Sequence, residues 1–324
     1  MRVVVVGAGL AGLVAARELA GAGVDVRVVD KGSSPGGRLA TRRIAGATLD
    51  HGAQFFTVRS DELQRRVDDW LARGVVRVWT DGFGEREGRD GHPRYVGANG
   101  MTSLAKDLAA GLEVECSTLA FTVRPGTGPD RWTVLIDDGT TRRADAVVVT
   151  CPLPQSFALL VEAGVELDET LFRVDYDRTL ALLAALDRPP AVPPPGGVQD
   201  PDATFSFIGD NAAKGVSARP AVTFHANAEW SEARWDDDPD AVRTLLSDAA
   251  RPWLGDARIV EAQVKRWRFA TPRSIWPDPC WVAGDGTLVV AGDAFAGPRV
   301  EGAHDSGLAA ATTILGSATA RSPR

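Results

Sequence analysis

Gly7, Gly9 and Gly12 stand at Gly-x-Gly-x-x-Gly spacing between a β-branched run, Arg2–Val6, and an Ala/Leu-rich run, Leu10–Ala22. A second apolar run, Val24–Val29, ends in Asp30, 18 residues beyond Gly12. Strand, glycine turn, helix, strand and terminal acid form one chemical device. Gly7 permits the tight turn, Gly9 lets the backbone approach a pyrophosphate, and Gly12 lets the helix, from Leu10 and Ala11 onward, pack closely on the strand. The helix start offers unpaired N–H groups and a positive dipole end to phosphates, while Asp30 accepts hydrogen bonds from a ribose diol. The spacing therefore predicts dinucleotide binding, without separating NAD from FAD.

Three further groups of residues favour FAD. Pro35-Gly36-Gly37-Arg38 is a loop able to pass close to a ligand, with a guanidinium suited to a phosphate. Asp50-His51-Gly52-Ala53-Gln54-Phe55-Phe56 supplies amide and aromatic groups that could line a flat ring. Leu288–Asp293 reads as a last buried strand delivering Asp293 to a ribityl hydroxyl. It is followed by Val300-Glu301-Gly302-Ala303 and a small-residue helix, Asp305–Leu315, starting near Gly302. That helix would aim its N-terminus at the pyrimidine end of a flavin, where charge develops on reduction.

These motifs together resemble the flavin amine oxidase superfamily. Gly37-Arg38-Leu39-Ala40-Thr41-Arg42-Arg43, Asp50–Thr57, Tyr95–Met101, Phe224-His225-Ala226, Glu229-Trp230-Ser231 and Lys265-Arg266-Trp267-Arg268 are most similar to its renalase branch. The resemblance spans essentially the whole chain. It implies FAD contacts at Gly7, Gly9, Leu10, Ala11, Gly12, Asp30, Lys31, Gly37, Arg38, Gly52, Ala53, Gln54, Phe55, Gly292, Asp293, Val300, Glu301 and Ala303, with Leu119 at the adenine. Flavin enzymes more often carry Glu where this chain has Asp30. Cys280 precedes the last strand and matches no covalent attachment position, so non-covalent FAD is expected.

The resemblance also implies a reaction: oxidation of mis-reduced dihydronicotinamide dinucleotides, the 2- or 6-dihydro isomers of NAD(P), by hydride transfer to flavin N5. O2 then accepts the electrons, giving NAD(P)+ and H2O2. Such a donor becomes aromatic on losing hydride and needs no general base, so no acid–base residue is assigned. His225, Trp267 and Arg299 are the candidate substrate contacts. The alternatives are an amine oxidase or desaturase of the same superfamily, and an FAD-binding protein without turnover.

Composition narrows the setting. The 324 residues carry 36 Lys+Arg against 43 Asp+Glu, a net charge of −7, and only four lysines. No basic block suggests nucleic acid or an anionic membrane as partner. The apolar N-terminal run is interrupted by Arg17, Glu18 and its glycines, which argues against a signal or membrane span and for a cytoplasmic protein. Cys116, Cys151 and Cys280 have neither disulfide nor metal-ligand spacing, so no metal is expected.

The elements that must position these groups predict an α/β fold: a discontinuous Rossmann-type FAD-binding domain with an inserted α+β substrate domain. The boundaries expected are 1–60, 97–156 and 270–324 for the cofactor domain, and 61–96 and 157–269 for the substrate domain. Within the first, Met101–Leu112 reads as a helix, and Leu119–Arg124, Trp132–Asp137 and Thr140–Arg143 as a meander turned at Asp138-Gly139. Ala146–Thr150 reads as a buried strand. Within the second, Pro189–Gly197 is a loop, Ala221–Ala226 a strand and Pro239–Ala250 a helix. Six of nine tryptophans lie between Trp230 and Trp281, where core filling is the expected role.

Overall fold

The computed structural model describes residues 1–83, 92–127 and 129–319. The chain divides into two compact units. One comprises residues 1–37, 104–175 and 272–324, the other 38–103 and 176–271. Residues 38–60 and 97–103, expected from the sequence in the cofactor domain, thus fall in the second unit, and residues 157–175, expected in the substrate domain, fall in the first.

The first unit is built on a six-stranded sheet in the order Trp281–Ala283, Leu288–Val290, Ala146–Val149, Arg2–Val6, Asp25–Val29, Glu113–Glu115. All neighbours run parallel except Trp281–Ala283 against Leu288–Val290. Val3–Val6, Ala146–Val149 and Leu288–Val290 are wholly buried, which is why these strands read as unbroken apolar runs and not as alternation. The predicted meander forms as a separate three-stranded antiparallel sheet of Ala120–Pro125, Trp132–Ile136 and Thr141–Ala144, with Gly139 at φ +84° in its turn. The first helix, Leu10–Gly21, is buried along Leu10–Ala16 and Leu19. The last helix, Val300–Thr319, packs on it so closely that a Cβ at Gly307 would stand 2.4 Å from the Ala11 carbonyl oxygen.

The second unit is organised by a five-stranded antiparallel sheet: Gly197–Gln199, Phe205–Asp210, Ala221–Ala226, Tyr176–Leu186, Ile259–Pro272. The helix Pro239–Leu254 covers it. Asp238 caps that helix by accepting from the N–H groups of Asp240 and Ala241, and Pro239 occupies the first turn, where it forfeits no intrahelical bond. Val242, Leu246, Ala250 and Leu254 recur on one face and are buried with Leu180, Leu182, Ile208, Val222 and Phe224. At about 1.5–3 kcal/mol per large side chain, this apolar seam is what holds helix to sheet. Trp230, Trp235 and Trp253 pack against the same core, the role expected of them. Two hairpins, Thr41–Ile44 with Ala47–Asp50 and Val76–Thr80 with Arg94–Gly97, and the helix Asp61–Ala72 complete the unit.

Candidate cofactor and substrate sites

In the first unit the parallel register aligns the strand ends. Val6 pairs with Val29 and Val149, and Val149 with Val290, so the loops beginning at Gly7, Asp30, Thr150 and Ala291 leave one edge of the sheet together. That carboxyl edge is where open α/β sheets take nucleotides. Gly7 has φ +111°, and a Cβ on Gly12 would stand 2.0 Å from the Gly7 carbonyl oxygen. Neither position admits a side chain without backbone movement. Gly9 differs: it caps the helix Leu10–Gly21 without any side-chain hydrogen bond, and a Cβ there would meet nothing within 4 Å. Uncapped amides facing open space fit a pyrophosphate.

Asp30 is oriented by two short backbone bonds, the Ala8 N–H donating to Oδ2 at 2.6 Å and the Gly32 N–H to Oδ1 at 2.6 Å. Each carboxylate oxygen retains lone-pair capacity for a ribose hydroxyl. Lys31 is exposed beside it, and Leu119 lies just before the strand Ala120–Pro125, not within it, and is exposed. The last strand ends at Val290, sooner than Asp293. Ala291 still donates to the Val149 carbonyl, after which Gly292 turns at φ +149° and its N–H donates to Ser306 Oγ. Asp293 is buried in this turn. The final helix begins at Val300, earlier than the expected Gly302; Gly302 lies inside the first turn, where a Cβ would stand 2.1 Å from the Gly297 carbonyl oxygen. Glu301 and Ala303 then lie in its first turn, and Arg299 is exposed immediately before it.

In the second unit Arg38, on a 3-10 turn, donates from one terminal nitrogen to the carbonyls of Phe269 and Ala270, both at 3.2 Å. A Cβ on Gly52 would strike the Arg38 carbonyl oxygen at 2.0 Å, and the Ala53 N–H donates to that oxygen. Gly37, in the first unit, has φ +52°.

The Asp50–Phe56 segment does more than supply a lining. Asp50 is fully buried. Its Oδ1 accepts from the Thr41 hydroxyl at 2.7 Å and the Met101 N–H at 2.8 Å, and its Oδ2 from the Lys214 ammonium at 3.0 Å. Both side chains of this ion pair are inaccessible to solvent. Burial pulls the Lys214 pKa down, against the opposing pull of Asp50. Lys214 also donates to Gln54 Oε1 at 3.2 Å, and Gln54 Nε2 donates to the Asp50 carbonyl at 2.8 Å. Gln54 is therefore engaged inside a polar network. Phe55 joins Trp79, Phe83 and Phe207, with ring centroids 5.1–6.2 Å from its own.

His225 and Trp267 meet at one residue, His51. The Trp267 indole N–H donates to the His51 carbonyl at 2.6 Å, and its ring stacks on the His51 imidazole at 5.3 Å and 22°. His225 Nε2 lies 3.4 Å from Gln54 Nε2, and His225 is near enough to His51 to act on its charge. Desolvation is the main cause holding both histidines near pKa 4, reinforced at His51 by the charges of Lys265 and Arg42. Lys214, Asn211, Thr223 and Trp79 escaped the sequence reading. Nothing local marks them, since Lys214 meets Asp50 across 164 residues and Thr223 donates to the Asp50 carbonyl across 173.

The fold and the family matches together define an FAD-dependent oxidoreductase. Residues 82–315 match the family of flavin containing amine oxidoreductases, and residues 5–70 match an NAD(P)-binding Rossmann-like domain. The chain belongs to the flavin containing amine oxidoreductase family. Mouse renalase is 30% identical over 115 residues, which is 35% of this chain and 34% of that relative, so the similarity spans about a third of the curated protein. A putative protoporphyrinogen oxidase from Exiguobacterium sp. has the same fold, with TM-score 0.70 at 14% identity over 97% of this chain and 98% of its own. A putrescine oxidase redesigned in its cofactor binding gives 0.66 at 17% identity over 98% and 99%. No described helix is long and apolar enough to cross a membrane, and no described group of His, Cys, Asp and Glu is arranged to hold a metal.

Proposed function

We propose that the protein is a renalase-type oxidase that returns 2- or 6-dihydro isomers of NAD(P) to NAD(P)+ while O2 becomes H2O2. The first unit is the FAD unit, holding the pyrophosphate at Gly9–Gly12, the adenosine ribose at Asp30 and the ribityl chain at Asp293, and the second is the substrate unit. When bound, FAD supplies the two-electron acceptor. The chain itself has to bind and orient a flat donor and keep its own groups out of the proton balance.

The observation that supports this reading is the charge state of the cluster around Asp50. The buried acid is already paired with Lys214, while His51 and His225 are held neutral, with values near 4. An alkylammonium substrate is served by a free carboxylate and its dehydrogenation calls for loss of a proton. A dihydropyridine is uncharged at the reacting ring and aromatises without a base. Neutral imidazoles and an indole suit the second donor better.

Anaerobic mixing of the purified flavoprotein with borohydride-generated dihydroNAD isomers tests the reading. The expected result is loss of the oxidised-flavin absorption band within seconds and recovery of NAD+. Persistence of the band, with bleaching by an amine instead, overturns it in favour of an amine oxidase.

A further inference from the structure

Hydrogen-bond capacity around His225 decides which imidazole is left for a ligand. The Lys214 ammonium only donates, so the Gln54 atom facing it is the carbonyl oxygen, and the amide NH2 is turned toward the Asp50 carbonyl and His225 Nε2. The two amide hydrogens of Gln54 have three acceptors in reach, the carbonyls of Asp50 at 2.8 Å and Gly52 at 3.2 Å and His225 Nε2 at 3.4 Å, so His225 is joined through Nε2 to the Asp50 network.

His51 presents the opposite case. Its Nδ1 is buried and has no hydrogen-bond partner. A buried polar atom left in this state is costly, and a native fold rarely leaves one uncompensated. The ring is held in place by the stacked Trp267, whose indole N–H also donates to the His51 carbonyl. Lys265 and Arg42 both act on His51 through their charges and Arg42 acts on Lys265, yet neither is paired with a carboxylate among the described residues. Lys265 is two residues from Trp267 on the strand Ile259–Pro272, so the two side chains share a face of it. Like charges set together without an acid are repulsive until an anion joins them.

We propose that His51, with Trp267, Lys265 and Arg42, is a recognition site for a planar nitrogen heterocycle carrying a phosphate, with Nδ1 of His51 hydrogen-bonding the heterocycle or its carboxamide and the two cations taking the phosphate. The assignment rests on the dihydronicotinamide reading above and specifies how its substrate is gripped. Neutrality of the imidazole, set by burial and the two cations, suits it to the carboxamide, which is uncharged in both the dihydro and the oxidised ring.

The test is calorimetric titration of the oxidised holoenzyme with nicotinamide mononucleotide, which cannot reduce the flavin. His51→Phe keeps a flat ring on Trp267 and removes Nδ1; its Kd is expected to rise about tenfold or more. His51→Asn returns a polar atom near the Nδ1 position and should stay within about threefold of the wild type. The Arg42→Ala/Lys265→Ala double variant should lose about tenfold for the mononucleotide and change less than about twofold for nicotinamide riboside, which lacks the phosphate. Equal affinities for His51→Phe and wild type, equal losses for both ligands in the double variant, or no binding of the mononucleotide by the wild type each overturn the site. Saturable binding without flavin reduction by dihydronicotinamides would sink the reaction and leave the site. Reduction with His51→Phe indistinguishable from wild type would do the reverse.

Discussion

Around Gly7–Gly12 the groups proposed to meet the ligand are almost all backbone, presented by a strand end and a helix start, whereas around Asp50 the second unit offers side chains drawn from four separated segments. Thr41, Asp50, Lys214, Gln54 and His225 contribute one or two groups each, and every one depends on another for its orientation. A backbone site is robust to most substitutions but intolerant of a Cβ at a few points. A side-chain network has the reverse weakness, because removing one member leaves its partners buried and unpaired.

Lys214→Met presses on this difference hardest. It leaves the Asp50 carboxylate buried without its cation, and urea denaturation should show about 3–5 kcal/mol lost, with partial recovery in Lys214→Met/Asp50→Asn. A loss under 1 kcal/mol would mean the network does not organise the unit.

Acid gives the next largest effect. With folded pKa values near 4 against an ordinary 6.5, His51 and His225 take up protons in the unfolded chain before the folded one. Stability present above pH 6.5 is then lost as pH falls toward 4, by up to roughly 3 kcal/mol per imidazole. The measurement is denaturation at a series of pH values. His225→Asn should flatten the slope in that window, and an unchanged slope counts against the buried neutral ring.

Two alanine substitutions separate packing from ligand contact in the first unit. Gly12→Ala collides with the Gly7 carbonyl and should cost about 1–3 kcal/mol as well as bound FAD. Gly9→Ala meets open space at a negative φ, so stability should move by less than about 0.5 kcal/mol while flavin content falls. Full flavin retention in Gly9→Ala would remove the pyrophosphate from that turn. The smallest effect is expected of Trp267→Phe, which keeps a stacked ring but loses one hydrogen bond, about 1 kcal/mol, read by thermal unfolding.

The strand Arg2–Val6, the helix from Leu10, the strand ending before Asp30 and the helix from Pro239 could be read within a residue or a few, because each is set by local periodicity and its own punctuation. Fine placement failed where the backbone had freedom. The last strand stops at Val290 because Gly292 turns away, and the helix after it begins at Val300. His225 and Trp267 were visible as candidates, but not that the first joins the Asp50 network through Gln54 and the second stacks on His51. Nor could Lys214 be singled out, since a lone lysine carries no periodic or spacing signal.

By itself, then, the sequence determined the glycine turn between the first strand and helix, the α/β class and the family, because glycine spacing and apolar runs act over a few residues. Only the tertiary structure decided which side chains face one another. The Asp50–Lys214 pair, the fixed amide of Gln54 and the unpartnered Nδ1 of His51 depend on segments 160 residues or more apart meeting where water is excluded, and there hydrogen-bond capacity must be settled group by group.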